Sequence, residues 1–272
     1  MPRGRFDRFI TRLACAEVSA RACNQYTDNA VRRRNLRLYL EEIAAIGPAL
    51  LLVGEAPSYR GGRLTGIPFV SETVMLRGVP IASPPGTILG QAHGYRKATA
   101  GPQRSTEASA TMVWGTIRGM EPLPLLWNAF PFHPFHAGDP HSNRAPDKGE
   151  LATGQPFLAA LLALFSIERV VAVGNQASFS LQKMGIDHVK VRHPSQGGKN
   201  RFVEGMRQVE DTMAGKKSQI QQIKEGRSMH EKTYNNRNQP SSPKAPLPTK
   251  NAVRLSTVPS SSNEKFKGGQ GD

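Results

Sequence analysis

The sequence lacks several features that define whole classes of protein. Its 272 residues contain only two cysteines, Cys15 and Cys23, which excludes a disulfide framework. Two thiols are also too few for a four-thiolate cluster. No run of about 18 apolar residues is present, so we expect no membrane span. Residues 1–13 lack the apolar block of a secretory signal peptide, which predicts a cytoplasmic protein.

Acidic residues are scarce relative to basic ones. The chain has 36 Lys and Arg against 21 Asp and Glu, a net charge of +15. This balance favours a polyanionic partner, with nucleic acid ahead of an acidic membrane. Residues 214–272 hold 11 basic and 4 acidic residues and hardly any large apolar side chain after Ile223. We expect them to form a disordered basic tail, either a simple solvated extension or a non-specific attractor of phosphates.

An N-terminal helical extension is expected over residues 1–47. Apolar residues at helical spacing predict a first helix over residues 5–23. A second helix is predicted to run to about Ile46, with Asp28 as its N-cap. Its basic side chains predict a solvated face, and they are Arg32, Arg33, Arg34 and Arg37.

Four short apolar runs then predict the strands of a parallel sheet. They cover residues 49–53, the run ending at Trp127, and residues 169–173 and 188–191. Helical patterns lie between and after the last three, at 157–165, 177–185 and 201–213. Apolar strands that alternate with helices predict a three-layer α/β/α domain over residues 48–213. Residues 83–122 are rich in Gly, Pro, Ser and Thr and are expected to form a long irregular insertion, with room for a short helix.

Each apolar run is followed at once by an unusual polar segment. These segments are GEAPSY (54–59), NAFPFHP (128–134), GNQ (174–176) and HPSQGG (193–198). In open parallel sheets, ligands bind beyond the carboxyl ends of the strands. The four segments are therefore predicted to converge on one cleft.

The same segments resemble the uracil-DNA glycosylase superfamily. The resemblance is carried by LLVGEAPSYRGGRLTGIPF (51–69), LPLLWNAFPFHP (123–134) and VRHPSQGGKNRF (191–202), in that order, and spans residues 49–213. It implies a four-stranded parallel sheet between helices. It also implies an enzyme that hydrolyses the N-glycosidic bond of uracil in DNA after the base has left the stack, and so leaves an abasic site.

The resemblance assigns roles to three residues around the base. Phe69 would stack against uracil, and Asn128 would pair with the base edge through its amide. His193 would donate an N–H to the base as it becomes anionic, and Ser195 would line the same pocket. The sequence alone is equally compatible with a core phenylalanine, a strand-end asparagine and an ordinary loop histidine.

Gly54, Glu55, Ala56 and Pro57 would line the side from which water attacks. Classical uracil glycosylases carry an Asp where this chain has Ala56, so no side-chain base exists at that place. Glu55 matches the acidic second position of the branch with a GEAPG motif. It would either orient water near the cationic sugar or serve as a structural carboxylate of its own loop.

Contacts with the DNA backbone are expected from two loops. Gln196, Gly197, Gly198, Lys199 and Arg201 follow the HPS segment, where the resemblance implies a loop that probes the helix; a flexible turn is the alternative. Arg60 and Arg63 are similar phosphate-binding candidates in the first Gly-rich loop.

The chain departs from its implied branch in one respect. GEAPG-type enzymes often carry an iron–sulfur cluster on four cysteines, and with two cysteines we expect no metal or other cofactor.

We expect a monomer that binds uracil-containing DNA and no membrane. A catalytically inactive DNA-binding protein on the same scaffold remains the alternative because of Ala56, and a glycosylase trapped covalently on its product is a weaker one. The base range stays open to hypoxanthine, xanthine and mismatched thymine.

Overall fold

The computed structural model describes residues 4–215. The predicted tail over 214–272 therefore lies outside the described residues, apart from its first two positions. The statements below concern residues 4–215.

The four apolar runs form one sheet, as predicted. The strands of the described chain are β1 (Ala22–Cys23), β2 (Leu50–Gly54), β3 (Val79–Ile81), β4 (Gly86–Ile88), β5 (Leu125–Asn128), β6 (His133–Pro134), β7 (Arg169–Val173) and β8 (Val189–Val191). The order in the sheet is β5-β2-β7-β8, and all three pairs are parallel. Every residue of β2 and β5 is buried, as expected for strands with helices on both faces.

Helices connect the parallel strands and complete the predicted three-layer α/β/α arrangement. Between residues 4 and 215 they are α1 (Asp7–Ala14), α2 (Ala30–Ile46), α3 (Gly62–Thr65), α4 (Glu72–Arg77), α5 (Ala108–Ile117), α6 (Lys148–Leu164), α7 (Asn175–Lys183) and α8 (199–215). No helix in this part of the chain combines the length and apolarity that a bilayer crossing requires.

The two edges of the sheet differ. At one edge, the backbone N–H of Leu126 in β5 donates to the hydroxyl of Tyr39 in α2 at 2.9 Å, and both side chains are fully buried. Burial raises the pKa of Tyr39, so its phenol stays protonated. The other edge is β8, which is only three residues long and exposes Val189. Polar groups of the outer strand β5 are thus paired by a side chain from the helical layer.

The first helix is shorter than the sequence pattern predicted. The expectation of a helix over residues 5–23 is wrong beyond Ala14, where α1 ends. The side-chain amide of Asn24 donates to the carbonyls of Leu13 and Ala16, at 2.8 and 2.9 Å, and so satisfies carbonyls that a further helical turn would have used. The chain then continues into β1, which pairs with β6.

The second helix begins at Ala30, and its N-cap is Asn29 rather than the predicted Asp28. The Asn29 side chain accepts the backbone N–H of Arg32 at 2.9 Å. The predicted solvated arginine face is confirmed for Arg34 and Arg37, which are exposed, while Arg32 and Arg33 are half-buried. These guanidinium groups also bind other parts of the chain. Arg32 donates to the carbonyl of Leu64 at 3.1 Å, Arg34 to that of Gly94, and Arg37 pairs with Asp7 at 2.5 Å.

The predicted irregular insertion over 83–122 contains β4, a short 3-10 helix at Gln91–His93 and the helix α5. It is fixed by Glu72 of α4, whose carboxylate is 1% exposed. That carboxylate accepts the hydroxyl of Thr99 at 2.5 Å and the backbone N–H of Ser105 at 2.9 Å. A buried charge with two donors therefore holds a segment that has little regular structure.

Candidate active site

The carboxyl ends of the four parallel strands meet at one edge, where their polar segments follow. Gly54 of β2 lies in register with Asn128 of β5, and the backbone N–H of Ala129 donates to the Gly54 carbonyl at 2.8 Å. A cleft of about 530 Å³ opens at this edge between the segments after β2 and β8. It is lined by residues 55–58, 174–175 and 190–193 and by Ser195 and Gln196, together with residues 143–146 and Glu107.

Gly54, Phe69 and Asn128 form a close-packed group at the end of β2, one residue before Glu55, which lines the cleft. A Cβ built on Gly54 would lie 2.2 Å from Cζ of Phe69 and 2.7 Å from Oδ1 of Asn128. Both distances are below any real contact, so only glycine fits between the ring and the amide. Sequence positions 54, 69 and 128 are thereby brought together, but none of the three lines the cleft itself, whose lining in this loop starts at Glu55 rather than at the predicted Gly54.

Phe69 is held in an uncommon backbone conformation. Its φ is 56°, in the left-handed region that non-glycine residues seldom adopt. The indole N–H of Trp114, in α5, donates to the Phe69 carbonyl at 3.1 Å and fixes this conformation from a buried position. Such strain at a residue beside a cleft is typical of functional sites.

Asn128 carries an unsatisfied donor. Its side chain is 2% exposed, and its Nδ2 has no hydrogen-bond partner within residues 4–215. A buried amide without a partner costs about 1–3 kcal/mol. The arrangement is therefore suited to a ligand that supplies an acceptor.

His193 is fixed in one tautomer by its own loop. Its Nδ1 accepts the backbone N–H of Ser195 at 3.2 Å and lies 2.7 Å from the Ser195 hydroxyl. A backbone N–H can only donate, so the proton of the neutral ring sits on Nε2. Burial lowers the pKa of His193; the negative charge of Glu55 opposes this effect and the positive charge of Arg192 adds to it. At neutral pH the ring is an uncharged N–H donor.

Glu55 lies at the N-terminus of α7. Its Oε1 accepts the backbone N–H of Gln176 at 3.1 Å. Gly174, with φ of 101°, gives it room, since a Cβ there would be 2.4 Å from the same oxygen. The carboxylate is thus oriented by one backbone N–H of α7 and by the helix dipole, and its charge reaches His193. The predicted alternative of a carboxylate bonded within its own loop differs from this placement, because the donor Gln176 belongs to α7.

Ala56 and Pro57 follow Glu55 in the same loop and also line the cleft. The carbonyl of Pro57 accepts Nδ1–H of His133 at 2.8 Å. His133 is fully buried in β6, and burial lowers its pKa, so it is a neutral structural donor. The histidine of β6 therefore holds the segment that carries Glu55.

The residues of the loop after His193 lie in different surroundings. Gln196 lines the cleft with φ of 50°, and a Cβ on Gly198 would lie 2.0 Å from the His193 carbonyl. Lys199 instead lines a separate groove between α5 and α8. Three further residues were predicted to contact DNA. Gly197 has a φ of 74°, Arg201 is exposed on α8, and Arg63 belongs to α3. The guanidinium of Arg60 lies 5.6 Å from the centre of the Tyr59 ring.

Two features of the cleft were missed by the sequence analysis. Arg144 forms a buried pair with Glu150, at 2.5 and 2.7 Å, and also donates to the carbonyl of Phe135 at 2.9 Å. The sequence pattern here, a capping box of Asp147 and Glu150, predicts the start of α6 but does not point to Arg144. Glu107 comes from the insertion and carries no comparable signal.

The donor set does not suit an iron–sulfur cluster. Cys15 and Cys23 are free thiols and are the only cysteines of the sequence. Within the described part of the chain, no group of three or more His, Cys, Asp or Glu side chains is gathered as metal ligands.

Comparisons with known proteins agree with this architecture. A family model described as the uracil DNA glycosylase superfamily matches residues 41–214. The crystal structure of wild-type Pedobacter heparinus SMUG2 is similar, with a TM-score of 0.55 and 14% sequence identity over 78% of this chain and 98% of that chain. No curated protein sequence matches the chain. At this identity the structural likeness concerns the fold alone.

Proposed function

The chain belongs to the uracil DNA glycosylase superfamily, a family of DNA glycosylases, and we propose that it hydrolyses the N-glycosidic bond of uracil in DNA. The base would leave the stack and enter the site beside Gly54. The observation that carries the proposal is the contact of Gly54 with both Phe69 and Asn128, three positions far apart in the sequence.

Recognition of the base rests on Phe69 and Asn128. The Phe69 ring supplies an apolar face, and the side-chain amide of Asn128 supplies a donor and an acceptor in one plane. Uracil presents an acceptor at O4 and a donor at N3, which match this pair. The unpartnered Nδ2 of Asn128 supports the role, because a carbonyl oxygen of the base would satisfy it.

Departure of the base rests on His193. As the glycosidic bond breaks, its electron pair stays on the base, which becomes anionic. The Nε2–H of neutral His193 would donate to the uracil O2, and this hydrogen bond strengthens as charge develops. The lowered pKa of His193 supports a neutral donor at physiological pH.

Stabilisation of the sugar rests on Glu55. The sugar becomes cation-like as the base departs, and a nearby carboxylate stabilises it by Coulomb attraction. Glu55 lines the cleft in a fixed orientation, with Oε1 held by the N–H of Gln176. Water then attacks C1′ and leaves an abasic site. Exposed Arg60, Gln196 and Arg201 would contact phosphates around the opening.

The test is a glycosylase assay on oligonucleotides that carry one uracil, in single strands and opposite A or G. Excision should produce an alkali-labile site at the uracil and none in matched thymine controls. A panel with hypoxanthine, xanthine and mismatched thymine then defines the base range. Absence of any excision, with salt-dependent binding that does not discriminate uracil, would establish the alternative of an inactive DNA-binding protein.

A further inference from the structure

Glu107 is a second carboxylate of the cleft. It occupies the N-cap position of α5, yet its side chain makes no cap hydrogen bond within the described chain. It turns instead toward the loop after β2, where its Oε2 lies 1.8 Å from the point that a Cβ on Gly61 would occupy. It shares the cleft with Glu55 and His193. Glycine at position 61 is thus what allows this carboxylate to reach the cleft.

The segment before Glu107 is fixed on two sides. The backbone N–H of Ser105 donates to the buried carboxylate of Glu72 at 2.9 Å. The hydroxyl of Ser105 donates to the carbonyl of Arg60 at 3.0 Å, which ties the insertion directly to the loop after β2. Glu107 is therefore positioned by the same loop that carries Glu55, and precise placement of this kind is what catalysis requires.

The two carboxylates lie in different environments. Burial raises the pKa of Glu107, and the neighbouring hydroxyl of Ser58 only partly opposes this effect. Glu55 instead accepts a helix N–H through Oε1. Paired carboxylates in unlike surroundings are typical of acid–base sites. The other ionisable groups that line the cleft are His193, Lys190 and Arg192 after or within β8, and Arg144 before α6.

We propose that Glu107 is the general base that takes the proton from the attacking water. This inference rests on the proposed glycosylase function. Water oxygen forms the new bond to C1′, its proton passes to the Glu107 carboxylate, and the electron pair of the broken C1′–N bond leaves with the base. The base is then protonated from solvent, and Glu107 returns its proton to solvent, so no other reactant is needed.

Two neighbouring positions support the assignment of this proton to Glu107. Ala56 has no group that can accept it. One oxygen of Glu55 is already engaged by Gln176 and its charge is directed to His193, which suits electrostatic stabilisation better than proton transfer. A carboxylate whose pKa is raised toward neutrality is the better base.

The decisive experiment is the pH dependence of single-turnover uracil excision by the full chain and its Glu107→Gln variant. In the wild type Glu107, Glu55 and His193 all act in their deprotonated forms, so the logarithm of the rate should rise steeply with pH on the acid limb. Glu107→Gln should lower the rate about 100- to 1,000-fold and reduce the limiting slope of this limb by about one, with the Kd for DNA within about twofold.

Chemical rescue is the second measurement. Glu107→Ala removes the carboxylate, and added formate, a small carboxylate, should restore part of the lost rate where chloride at equal ionic strength does not. Because rescue is measured on one variant, a general loss of stability cannot imitate it. Wild-type activity together with an unchanged slope in Glu107→Gln and no formate effect would overturn this inference. A wild type that excises nothing would instead overturn the proposed function.

Discussion

The Phe69 ring lies against the Cα of Gly54 so closely that a Cβ at that position would be 2.2 Å from the ring. The ring cannot retreat easily, because the Phe69 backbone has φ of 56° and its carbonyl is held by the indole of Trp114. Gly54 and the Phe69 ring therefore fit together with no room for a side-chain atom between them. Any side chain at position 54 must displace the ring or the amide of Asn128.

Gly54→Ala is expected to lower uracil excision by at least about 100-fold, since a displacement of about 1 Å at a reacting site has that effect. Overpacking should also reduce the free energy of unfolding by about 1–3 kcal/mol. Single-turnover kinetics and urea unfolding measure the two effects. The matched control is Gly115→Ala in α5, where an added Cβ meets nothing within 4 Å. It should retain full activity and be slightly more stable, since alanine favours helix by about 0.5–1 kcal/mol. Equal activity of the two variants would show that the contact is unimportant.

Asn128→Ala should lower excision about 100- to 1,000-fold while the Kd for DNA changes little, because it removes a contact to the base and none to the backbone. Its melting temperature should not fall by the amount expected for a lost hydrogen bond, since Nδ2 has no partner in the described chain.

His193→Ala is expected to have a similar effect on turnover, because it removes the donor to the departing base. Single-turnover rates and fluorescence anisotropy with a labelled uracil oligonucleotide separate catalysis from binding. Full activity of both the Asn128 and the His193 variants would place the site elsewhere.

Glu55→Gln should lower the pKa of His193 further below its ordinary value. The Glu55 charge is the influence that raises this pKa against burial, and glutamine removes the charge while it can still accept the Gln176 N–H. An NMR titration of the His193 ring protons measures the shift. His133, whose pKa is also lowered by burial, serves as the internal reference and should titrate unchanged. An unaltered His193 titration would mean that the two groups do not interact.

Arg144→Met should reduce the free energy of unfolding at pH 7 by about 3–5 kcal/mol, because it leaves Glu150 as an unpaired buried charge. Burial alone would raise the pKa of Glu150, but hydrogen bonds from Arg144, Asp147 and Ser19 hold it below its ordinary value. The stabilisation that the Glu150 charge contributes is fully present above the ordinary pKa of a glutamate. It is lost as the pH falls through the lower pKa of Glu150 in the folded chain. The loss of unfolding free energy in Arg144→Met should therefore be smaller near pH 3 than at pH 7.

The matched control for this pair is Arg21→Met. Arg21 pairs with Asp147 at 3.5 Å, but their side chains are 56% and 49% exposed. Loss of such a surface pair should cost less than about 1 kcal/mol. Chemical denaturation of both variants at pH 7 and pH 3 gives the comparison, and similar deficits at the two pH values in Arg144→Met would contradict the role of the Glu150 charge.

The sheet was predictable because its signal is local. Three of the four runs are apolar apart from Arg169 and define the buried strands β2, β5 and β7, and β2 and β7 appear within one residue of the predicted limits. The convergence of the segments after Gly54, Asn128 and Val191 follows from parallel strand direction alone. Helix limits depended on distant side chains. The end of α1 is set by Asn24, which the periodicity of residues 5–23 does not include.

Other features of the site depend on tertiary contacts that leave no pattern in the sequence. Glu107 is separated from Gly61 by 46 positions and reaches the cleft only because Glu72 and Ser105 hold the insertion. Lys199 was predicted as part of the DNA-contacting loop, but it is the first residue of α8 and lines another groove. The arginines of α2 have the composition of a solvated face, and only the folded chain supplies the carbonyls that they bind.

The sheet presents two outer strands, each a possible template for another chain. Tyr39 occupies the outward N–H of Leu126 on one side, and on the other side β8 is short and carries Lys190. An exposed backbone N–H at the end of a sheet can pair with a strand of another molecule. In this sheet the N–H of Leu126 is already taken by a phenol, and the opposite border is too brief and too basic to offer a long ladder.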